Sequence, residues 1–272
     1  VKYSVFVNSG SAANLATISY LRTLYSDGEI IVPSVTWVSD ITSILYNNFK
    51  PVFVDINLEN LAANENLIKQ AINKKTRAIF ITHLLGLNGL TDGIIKLAKK
   101  NKILLIEDVC ESHGATFKKK KLGSYGSISN FSFYYAHHIS TIEGGMICTN
   151  DKKTYETLRI LRGHGLLRES QDIKMKKRII KKFSYLNKEF LFLYPGYNLR
   201  STEINAVYGL SQIKRLDQNN KNRVKNFSLF LKSLDNEKYM TNFNSEGSCN
   251  YALIIILQDK FRNLNFRKKF EN

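Results

Sequence analysis

Short apolar runs rich in β-branched residues alternate with helical patterns along most of the chain. The runs predict strands over 4–7, 29–32, 51–54, 78–82, 103–106, 128–134 and 144–149, and the helical patterns predict helices over 11–25, 37–46, 67–72, 91–101 and 152–162. Short strands separated by helices are typical of βαβ units, whose parallel or mixed sheet is covered on both faces. The pattern therefore predicts an α/β fold.

The pattern changes towards the carboxyl end of the chain. Apolar residues at helical spacing predict a long helix over 203–216, a second helix follows over 222–234, and a strand is expected over 251–257. We therefore predict a large domain over 1–217 and the beginning of a smaller domain over 218–272. The chain starts with Val1 and ends in residues of helical composition without a cap, so both ends are expected to continue in a longer protein.

Composition narrows the class of protein. The chain has 272 residues, of which 43% are hydrophobic and 23% are charged, as in soluble globular proteins. No run of about 18 apolar residues occurs, so neither a membrane span nor a signal peptide is predicted. Cys110, Cys148 and Cys249 form no closely spaced pair, which argues against a zinc site or a disulfide framework and favours a reducing, cytoplasmic setting.

The net charge of +17 raises the possibility of a nucleic-acid partner. The lysines, however, are spread along the chain among Asn and Ile residues. The densest clusters, at 118–121 and 174–182, are predicted to be a turn between strands and a solvated helix face. The sequence therefore favours no nucleic-acid partner, and the positive field would instead help to attract a nucleotide diphosphate.

Polar residues follow several of the predicted strands. The segment 8–14, NSGSAAN, joins a strand to a helix, where exposed N–H groups favour a phosphate, although an ordinary serine cap with a glycine turn has the same pattern. Trp37, the only tryptophan, follows a second strand, and Asp108 ends a third. A lone tryptophan is most often a core residue. In an open α/β sheet, however, ligands bind beyond the carboxyl ends of the strands, where these residues are expected.

The segment 131–151, FSFYYAHHISTIEGGMICTND, resembles the cofactor-anchoring segment of the DegT/DnrJ/EryC1/StrS family of pyridoxal-phosphate sugar aminotransferases. In that family a lysine falls five residues after the serine, and five residues after Ser132 this chain has His137. An imidazole cannot bond covalently to the cofactor aldehyde as lysine does, but it can move a proton. The segments 8–14, 106–115, 162–165 and 194–206 resemble further motifs of the family, in the same order.

The resemblance implies the fold type I (aspartate aminotransferase-like) large domain, an α/β/α arrangement with a mostly parallel sheet, and a homodimer with shared sites. It also implies a set of cofactor contacts. Gly10, Ser11 and Ser132 would bind the phosphate, Trp37 would stack on the pyridine ring, Asp108 would pair with the ring nitrogen, Glu111 would neighbour the phenolic oxygen where the family commonly has Gln, and Asn198 would reach the partner's cofactor phosphate.

Histidine replaces the lysine in two 3-dehydratase branches of the family. One branch needs an iron–sulfur cluster, whose four thiolates include a Cys-x-Cys pair that this chain lacks between His137 and Asn198. The resemblance therefore implies the other branch, with no iron–sulfur cluster and no metal. His138 is expected to point away from the ring, because adjacent residues of an extended segment face opposite ways.

The cluster-free branch removes the C3 hydroxyl of GDP-4-keto-6-deoxymannose, a nucleotide-linked 4-keto-6-deoxyhexose, in deoxysugar and lipopolysaccharide O-antigen biosynthesis. The resemblance thus implies a carbon–oxygen lyase that uses noncovalent pyridoxal or pyridoxamine 5′-phosphate, takes its amine from L-glutamate, and has His137 as its proton-transfer residue. Two alternatives stay open at this point. The chain could be an aminotransferase that works without the lysine, or a noncatalytic, pyridoxal-phosphate-binding regulatory protein.

Overall fold

The computed structural model describes residues 1–261. The strands are β1 Tyr3–Val7, β2 Glu29–Pro33, β3 Lys50–Val54, β4 Ile56–Asn57, β5 Ala62–Ala63, β6 Thr76–Thr82, β7 Leu104–Asp108, β8 Thr116–Phe117, β9 Lys120–Lys121, β10 Ile128–Ser132 and β11 Gly145–Thr149. The α-helices are α1 Gly10–Leu24, α2 Val38–Tyr46, α3 Glu65–Ala71, α4 Asp92–Asn101, α5 Lys152–Arg162, α6 Ile173–Lys182, α7 Glu203–Ile213 and α8 Leu216–Ser233.

Seven of these strands form one mostly parallel sheet. Their order is β1-β11-β10-β7-β6-β2-β3. The five strands from β10 to β3 run parallel to one another, whereas β11 runs antiparallel to both of its neighbours, β10 and β1. The predicted α/β fold with a mostly parallel sheet is therefore confirmed.

The sheet has an apolar core on each face. Along β6, Phe80 packs in the cluster that contains α1 and α5 residues, whereas its neighbours Ile79 and Ile81 pack in the cluster that contains residues of α3 and α4. Successive side chains of a strand point to opposite faces, so a central strand covered by helices on both sides is apolar throughout. This explains why the sequence shows continuous apolar runs rather than alternation.

The register of the strands brings three polar side chains together at one edge. Asp108, the last residue of β7, lies opposite Thr82 on β6 and opposite Asn130 on β10. Ser132 pairs with Gly145, which in turn pairs with Val7 at the end of β1. The turn that leads from β1 into α1 therefore lies at the same edge as the carboxyl ends of β6, β7 and β10.

In the last third of the chain, two predicted helices are present with shifted bounds, and one predicted strand is wrong. The expected helix over 203–216 ends at Ile213, and α8 begins at Leu216 rather than at 222, because the backbone N–H of Arg215 turns back to the Gln212 carbonyl. The expected strand over 251–257 forms only an isolated bridge between Leu257 and Tyr239. At the start of this segment, the backbone N–H of Tyr251 donates to the Leu85 carbonyl oxygen and not to a neighbouring strand.

The predicted division into domains over 1–217 and 218–272 stays a prediction. Its boundary falls in the first turn of α8, and the segment 262–272, where helical composition was noted, lies outside the described residues. The lysine cluster at 118–121 lies in the β8–β9 hairpin as predicted, and the one at 174–182 lies on α6. Among the described helices, none combines the length and the apolar character that crossing a membrane requires.

Candidate active site

A cavity of about 370 Å³ opens at the carboxyl edge of the sheet, where the polar strand ends meet. Its volume lies within the range of small-molecule sites. Seven of the eight residues predicted from the sequence line it: Gly10, Ser11, Trp37, Asp108, Glu111, Ser132 and His137. The register described above accounts for this convergence.

The turn before α1 forms one wall of the cavity. The Ser9 hydroxyl accepts a hydrogen bond from the Ala12 backbone N–H at 3.0 Å and so caps the helix. A side chain at Gly10 would place its Cβ 2.4 Å from the Ser132 Cβ, and one at Gly145 would meet the Ser9 carbonyl oxygen at 2.2 Å. The two glycines thus let β10 and β11 press against the N-terminus of a 15-residue helix, whose first N–H groups favour an anion.

Asp108 lies at the floor of the cavity and is 3% exposed. Its Oδ1 accepts a hydrogen bond from the Cys110 backbone N–H at 2.8 Å, and its Oδ2 accepts one from the Asn14 side-chain amide at 3.0 Å. Burial raises the pKa of the Cys110 thiol well above its usual value, so this neighbour stays uncharged. Two donors therefore fix the orientation of the carboxylate.

Glu111 and Trp37 form the other side of the cavity. The Glu111 Oε2 accepts a hydrogen bond from the Leu85 backbone N–H at 2.7 Å. This bond holds Leu85 in a left-handed backbone conformation, with a φ of 53°. Burial raises the pKa of Glu111, the nearby charge of Asp108 adds to the effect, and the Leu85 hydrogen bond opposes it. Trp37 stands at the rim with 59% of its surface exposed, so it is not the core residue that a lone tryptophan usually is.

The two adjacent histidines face different surroundings, as their spacing predicts. His137 lines the cavity, and its Nδ1 is buried with no hydrogen-bond partner. His138 is buried behind the wall, where its Nε2 lies 3.3 Å from the Cys249 carbonyl oxygen. Burial lowers the pKa of His137, although Asp108 opposes the effect, and burial lowers the pKa of His138 to about 4. The imidazole that faces the cavity is therefore held in its neutral, basic form.

Asn198 lies outside this cavity. It is exposed, its backbone forms a bridge with Gly163, and its Oδ1 accepts a hydrogen bond from Arg200 Nε at 3.2 Å. This position neither supports nor opposes the predicted contact with a partner's cofactor, because that contact would need a second chain.

Several cavity residues were not predicted from the sequence. Asn14, Thr82 and His83 line the cavity, although no contact was predicted for them: Asn14 closes the segment 8–14, and Thr82 and His83 lie at the end of a predicted strand. The Gly89 backbone N–H donates to His83 Nδ1 at 3.0 Å, so the ring hydrogen is on Nε2 and faces Glu107. A polar side chain on an otherwise apolar helix face, such as Asn14 on α1, is the signal that was available for them.

The fold and the site define a class of protein. The structure resembles that of the Escherichia coli GDP-4-keto-6-deoxy-D-mannose-3-dehydratase with bound hydrated PLP, with a TM-score of 0.85 and 31% identity, over 98% of this chain and 70% of that one. It also resembles a GDP-4-keto-6-deoxymannose-3-dehydratase with a trapped PLP-glutamate geminal diamine, with a TM-score of 0.85 and 30% identity, over 99% of this chain and 71% of that one. The chain therefore has the fold of the pyridoxal-phosphate-dependent aminotransferase-like enzymes.

The sequence profile of the DegT/DnrJ/EryC1/StrS aminotransferase family matches residues 1–271. The chain belongs to this family, which confirms the resemblance drawn from the motifs.

Two curated relatives are named GDP-4-keto-6-deoxy-D-mannose 3-dehydratase. The protein from Escherichia coli O55:H7 is 37% identical over 88% of this chain and 63% of its own length, and the one from Yersinia pseudotuberculosis is 35% identical over 93% and 66%. A GDP-perosamine synthase from Escherichia coli O157:H7 is 34% identical over 80% of this chain and 54% of its own length. The chain thus spans between about half and two thirds of the length of these curated relatives.

Proposed function

We propose that this chain is the cofactor-binding part of a 3-dehydratase that acts on a nucleotide-linked 4-keto-6-deoxyhexose, with GDP-4-keto-6-deoxymannose as the substrate. The observation that carries the proposal is His137, which occupies the family's lysine position and lines the cavity. The names of the relatives at 37% and 35% identity support the same reaction and the same substrate.

The residues present fit noncovalent pyridoxal or pyridoxamine phosphate. The Gly10 turn and the Ser132 hydroxyl form an anion cradle at the N-terminus of α1, and no lysine is among the described residues that line the cavity. Asp108 would supply a fixed carboxylate for the ring nitrogen, Trp37 would offer an aromatic face, and Glu111, which lines the same cavity, would neighbour the phenolic oxygen. The solved relatives with bound PLP and with a PLP-glutamate adduct support this cofactor and glutamate as the amine donor.

When bound, pyridoxamine phosphate supplies the amine that joins the C4 ketone of the sugar and a ring that accepts electrons. His137, whose neutral imidazole faces the cavity, would remove a proton from the C4′ carbon of the bound cofactor. The resulting imidazolium would then protonate the C3 hydroxyl as it leaves. Each turnover removes one oxygen from the sugar, converts one glutamate to its oxoacid, and releases one ammonia.

Asp108 and Glu111 would serve different atoms of the ring. Asp108 would accept a hydrogen bond from the protonated ring nitrogen and so favour the flow of electrons into the ring. Glu111 has a raised pKa because of its burial, so it is suited to share a proton with the phenolic oxygen where the family's Gln only donates an amide hydrogen.

We also propose that the working unit is a homodimer with shared sites. The apolar side chains of α7 are exposed: Ile204, Val207, Leu210 and Ile213 are 58–79% exposed. The opposite side of α7 is attached to the segment beside the cavity, because the Asn205 amide donates to the Thr141 carbonyl oxygen at 2.6 Å and to the carbonyl oxygen of Glu143, a cavity residue, at 3.2 Å. A second copy that covered this apolar face would lie beside the cavity and bring its own Asn198 segment near, as the family resemblance implies.

A second candidate function is an aminotransferase that works without the lysine. The GDP-perosamine synthase at 34% identity favours it. The dehydratase is preferred because an imidazole at 137 can move a proton but cannot hold the cofactor covalently. A noncatalytic regulatory role is opposed by the intact set of Asp108, Ser132 and the Gly10 turn. A cytoplasmic location is proposed because the three cysteines are unpaired in the described residues.

The test is an incubation of the complete protein with pyridoxal phosphate, glutamate and a panel of nucleotide-linked 4-keto sugars, followed by mass spectrometry. The proposal expects a product lighter by one oxygen from the GDP sugar. It also expects the cofactor to dialyse away and to resist borohydride fixation to the protein. An amino sugar, or a lysine of the cavity labelled after reduction, would refute the proposal.

A further inference from the structure

One acidic side chain behind the cavity wall takes no part in the chemistry above. Asp40, on α2, is fully buried, and no ion pair of the described residues includes it. A buried carboxylate without a cation is costly, so such a group is either densely hydrogen-bonded or protonated. The contacts around Asp40 distinguish between these two states.

One carboxyl oxygen of Asp40 and two threonine hydroxyl oxygens form a closed triangle. The Oδ2 of Asp40 lies 2.5 Å from the Thr36 hydroxyl and 2.7 Å from the Thr82 hydroxyl, and the two hydroxyls lie 2.6 Å apart. Each of these three contacts requires one hydrogen, and each hydroxyl carries only one. The third hydrogen must come from the Asp40 carboxyl group. An ionised Asp40 would leave one pair of oxygens facing each other without a hydrogen.

The other oxygen of Asp40 is linked to Asp108 through one amide. The Asn14 Nδ2 lies 2.7 Å from Asp40 Oδ1, 3.0 Å from Asp108 Oδ2 and 3.0 Å from the Ser39 hydroxyl. The orientation of this amide is fixed, because its Oδ1 accepts a hydrogen bond from the Asn130 Nδ2 at 2.8 Å. Asn130 is itself held by the Thr17 hydroxyl, also at 2.8 Å. The two hydrogens of this amide therefore point into the space between both carboxyl groups and the Ser39 hydroxyl.

We propose that Asp40 is a positioning residue that stays protonated and, through Asn14, holds Asp108 as the single carboxylate behind the ring nitrogen of the cofactor. The part that concerns the cofactor rests on the proposed function, whereas the protonation of Asp40 does not. Burial raises the pKa of Asp40 well above the ordinary carboxyl range, and the charge of Asp108 adds to this effect. The other titratable neighbour, the Cys110 thiol, is uncharged.

The consequence for the site is one negative charge instead of two. Two adjacent carboxylates in a buried site do not both ionise readily, and the pair keeps one proton. The triangle of hydroxyls fixes that proton on Asp40. Asp108 is thus left charged on the side that faces the cavity, where a protonated ring nitrogen would bind.

The first test uses protein without cofactor, so its outcome is independent of the proposed function. An infrared difference spectrum of wild type minus Asp40→Asn, recorded at neutral pH, is expected to show a protonated carboxyl band. The matched Asp108→Asn difference should show an ionised carboxylate band instead. Absence of the protonated band from the first difference would overturn the proposal. If Asp40→Asn does not fold, Thr82→Val should shift the same band, and an unshifted band would overturn the proposal equally.

The second test measures binding of pyridoxal phosphate by fluorescence titration. The amide of Asp40→Asn can supply the hydrogen that a protonated acid supplies, so its Kd should stay within about threefold of wild type. Asp108→Asn removes the charge and should weaken binding by about tenfold or more. If Asp40→Asn weakened binding as much as Asp108→Asn, Asp40 would carry the charge and the proposal would be wrong.

Discussion

Replacing His137 by Asn separates proton transfer from cofactor binding. The side chain lines the cavity but holds none of the proposed phosphate or ring-nitrogen contacts, which come from the Gly10 turn, Ser132 and Asp108. A positioned general base contributes about 10²-fold or more to a rate. The variant should therefore bind pyridoxal phosphate with a Kd close to that of wild type and should lose C3 deoxygenation by about 10²-fold or more.

The assay is a single-turnover measurement with protein preloaded with pyridoxamine phosphate, with the deoxygenated sugar quantified over time. The matched control is His138→Asn, because His138 is the neighbouring histidine but faces the Cys249 carbonyl rather than the cavity. It should lose much less activity than His137→Asn. Comparable losses in the two variants would mean that the register counted from Ser132 is wrong by one residue.

The pH dependence gives a second readout of the same group. Burial lowers the pKa of His137, so its basic form persists to lower pH than for an ordinary histidine. The wild-type rate should rise with pH through that lowered pKa and then level off, whereas the residual rate of His137→Asn should lack this step. A variant that kept near-normal rates, or kept the step, would refute the assignment and make Glu111 the next candidate base.

Three further results are expected. Gly10→Ala should weaken cofactor binding by about tenfold or more in a fluorescence titration, because the new Cβ would lie 2.4 Å from the Ser132 Cβ. Ser11→Ala should have a smaller effect, and equal affinities of the two variants would contradict the proposed phosphate cradle. Val207→Asp on the exposed face of α7 should shift a dimer towards monomer in analytical ultracentrifugation, and an unchanged dimer would contradict that interface. Burial lowers the pKa of His138 to about 4, so as pH falls the unfolded state binds the extra proton before the folded state does. The free energy of unfolding should therefore fall by up to about 3 kcal/mol as pH drops from about 6.5 to 4. A His138→Asn variant should lose this pH dependence in thermal melts, and an unchanged pH dependence would contradict the assignment.

The regular part of the fold could be predicted from local sequence because apolar runs and caps carry its signal. α5, for example, begins after Asp151, whose carboxylate caps the helix, and covers the predicted range. The break between α7 and α8 was missed because no glycine or proline marks it. The expected strand over 251–257 was wrong because apolar residues form a strand only where a neighbouring strand can pair with them.

The candidate site was predictable where polar residues end strands, as Asp108 and Ser132 do. The missed residues that link the helices to the site have no such signal. Asp40 and Asn14 sit on helices and meet only because α1 and α2 pack against the sheet, so their partnership depends on tertiary contacts that sequence spacing does not contain. Their buried polar side chains give a visible signal only once the apolar faces of both helices are known.

The fate of the glutamate nitrogen tests the central claim most directly. The complete protein would be incubated with pyridoxal phosphate, nitrogen-labelled glutamate and GDP-4-keto-6-deoxymannose, and both sugar and ammonia would be analysed by mass spectrometry. A 3-dehydratase with His137 as its base predicts label in free ammonia and a nitrogen-free sugar lighter by one oxygen. Label retained in the sugar, with the C3 oxygen still present, would identify an aminotransferase and contradict the account.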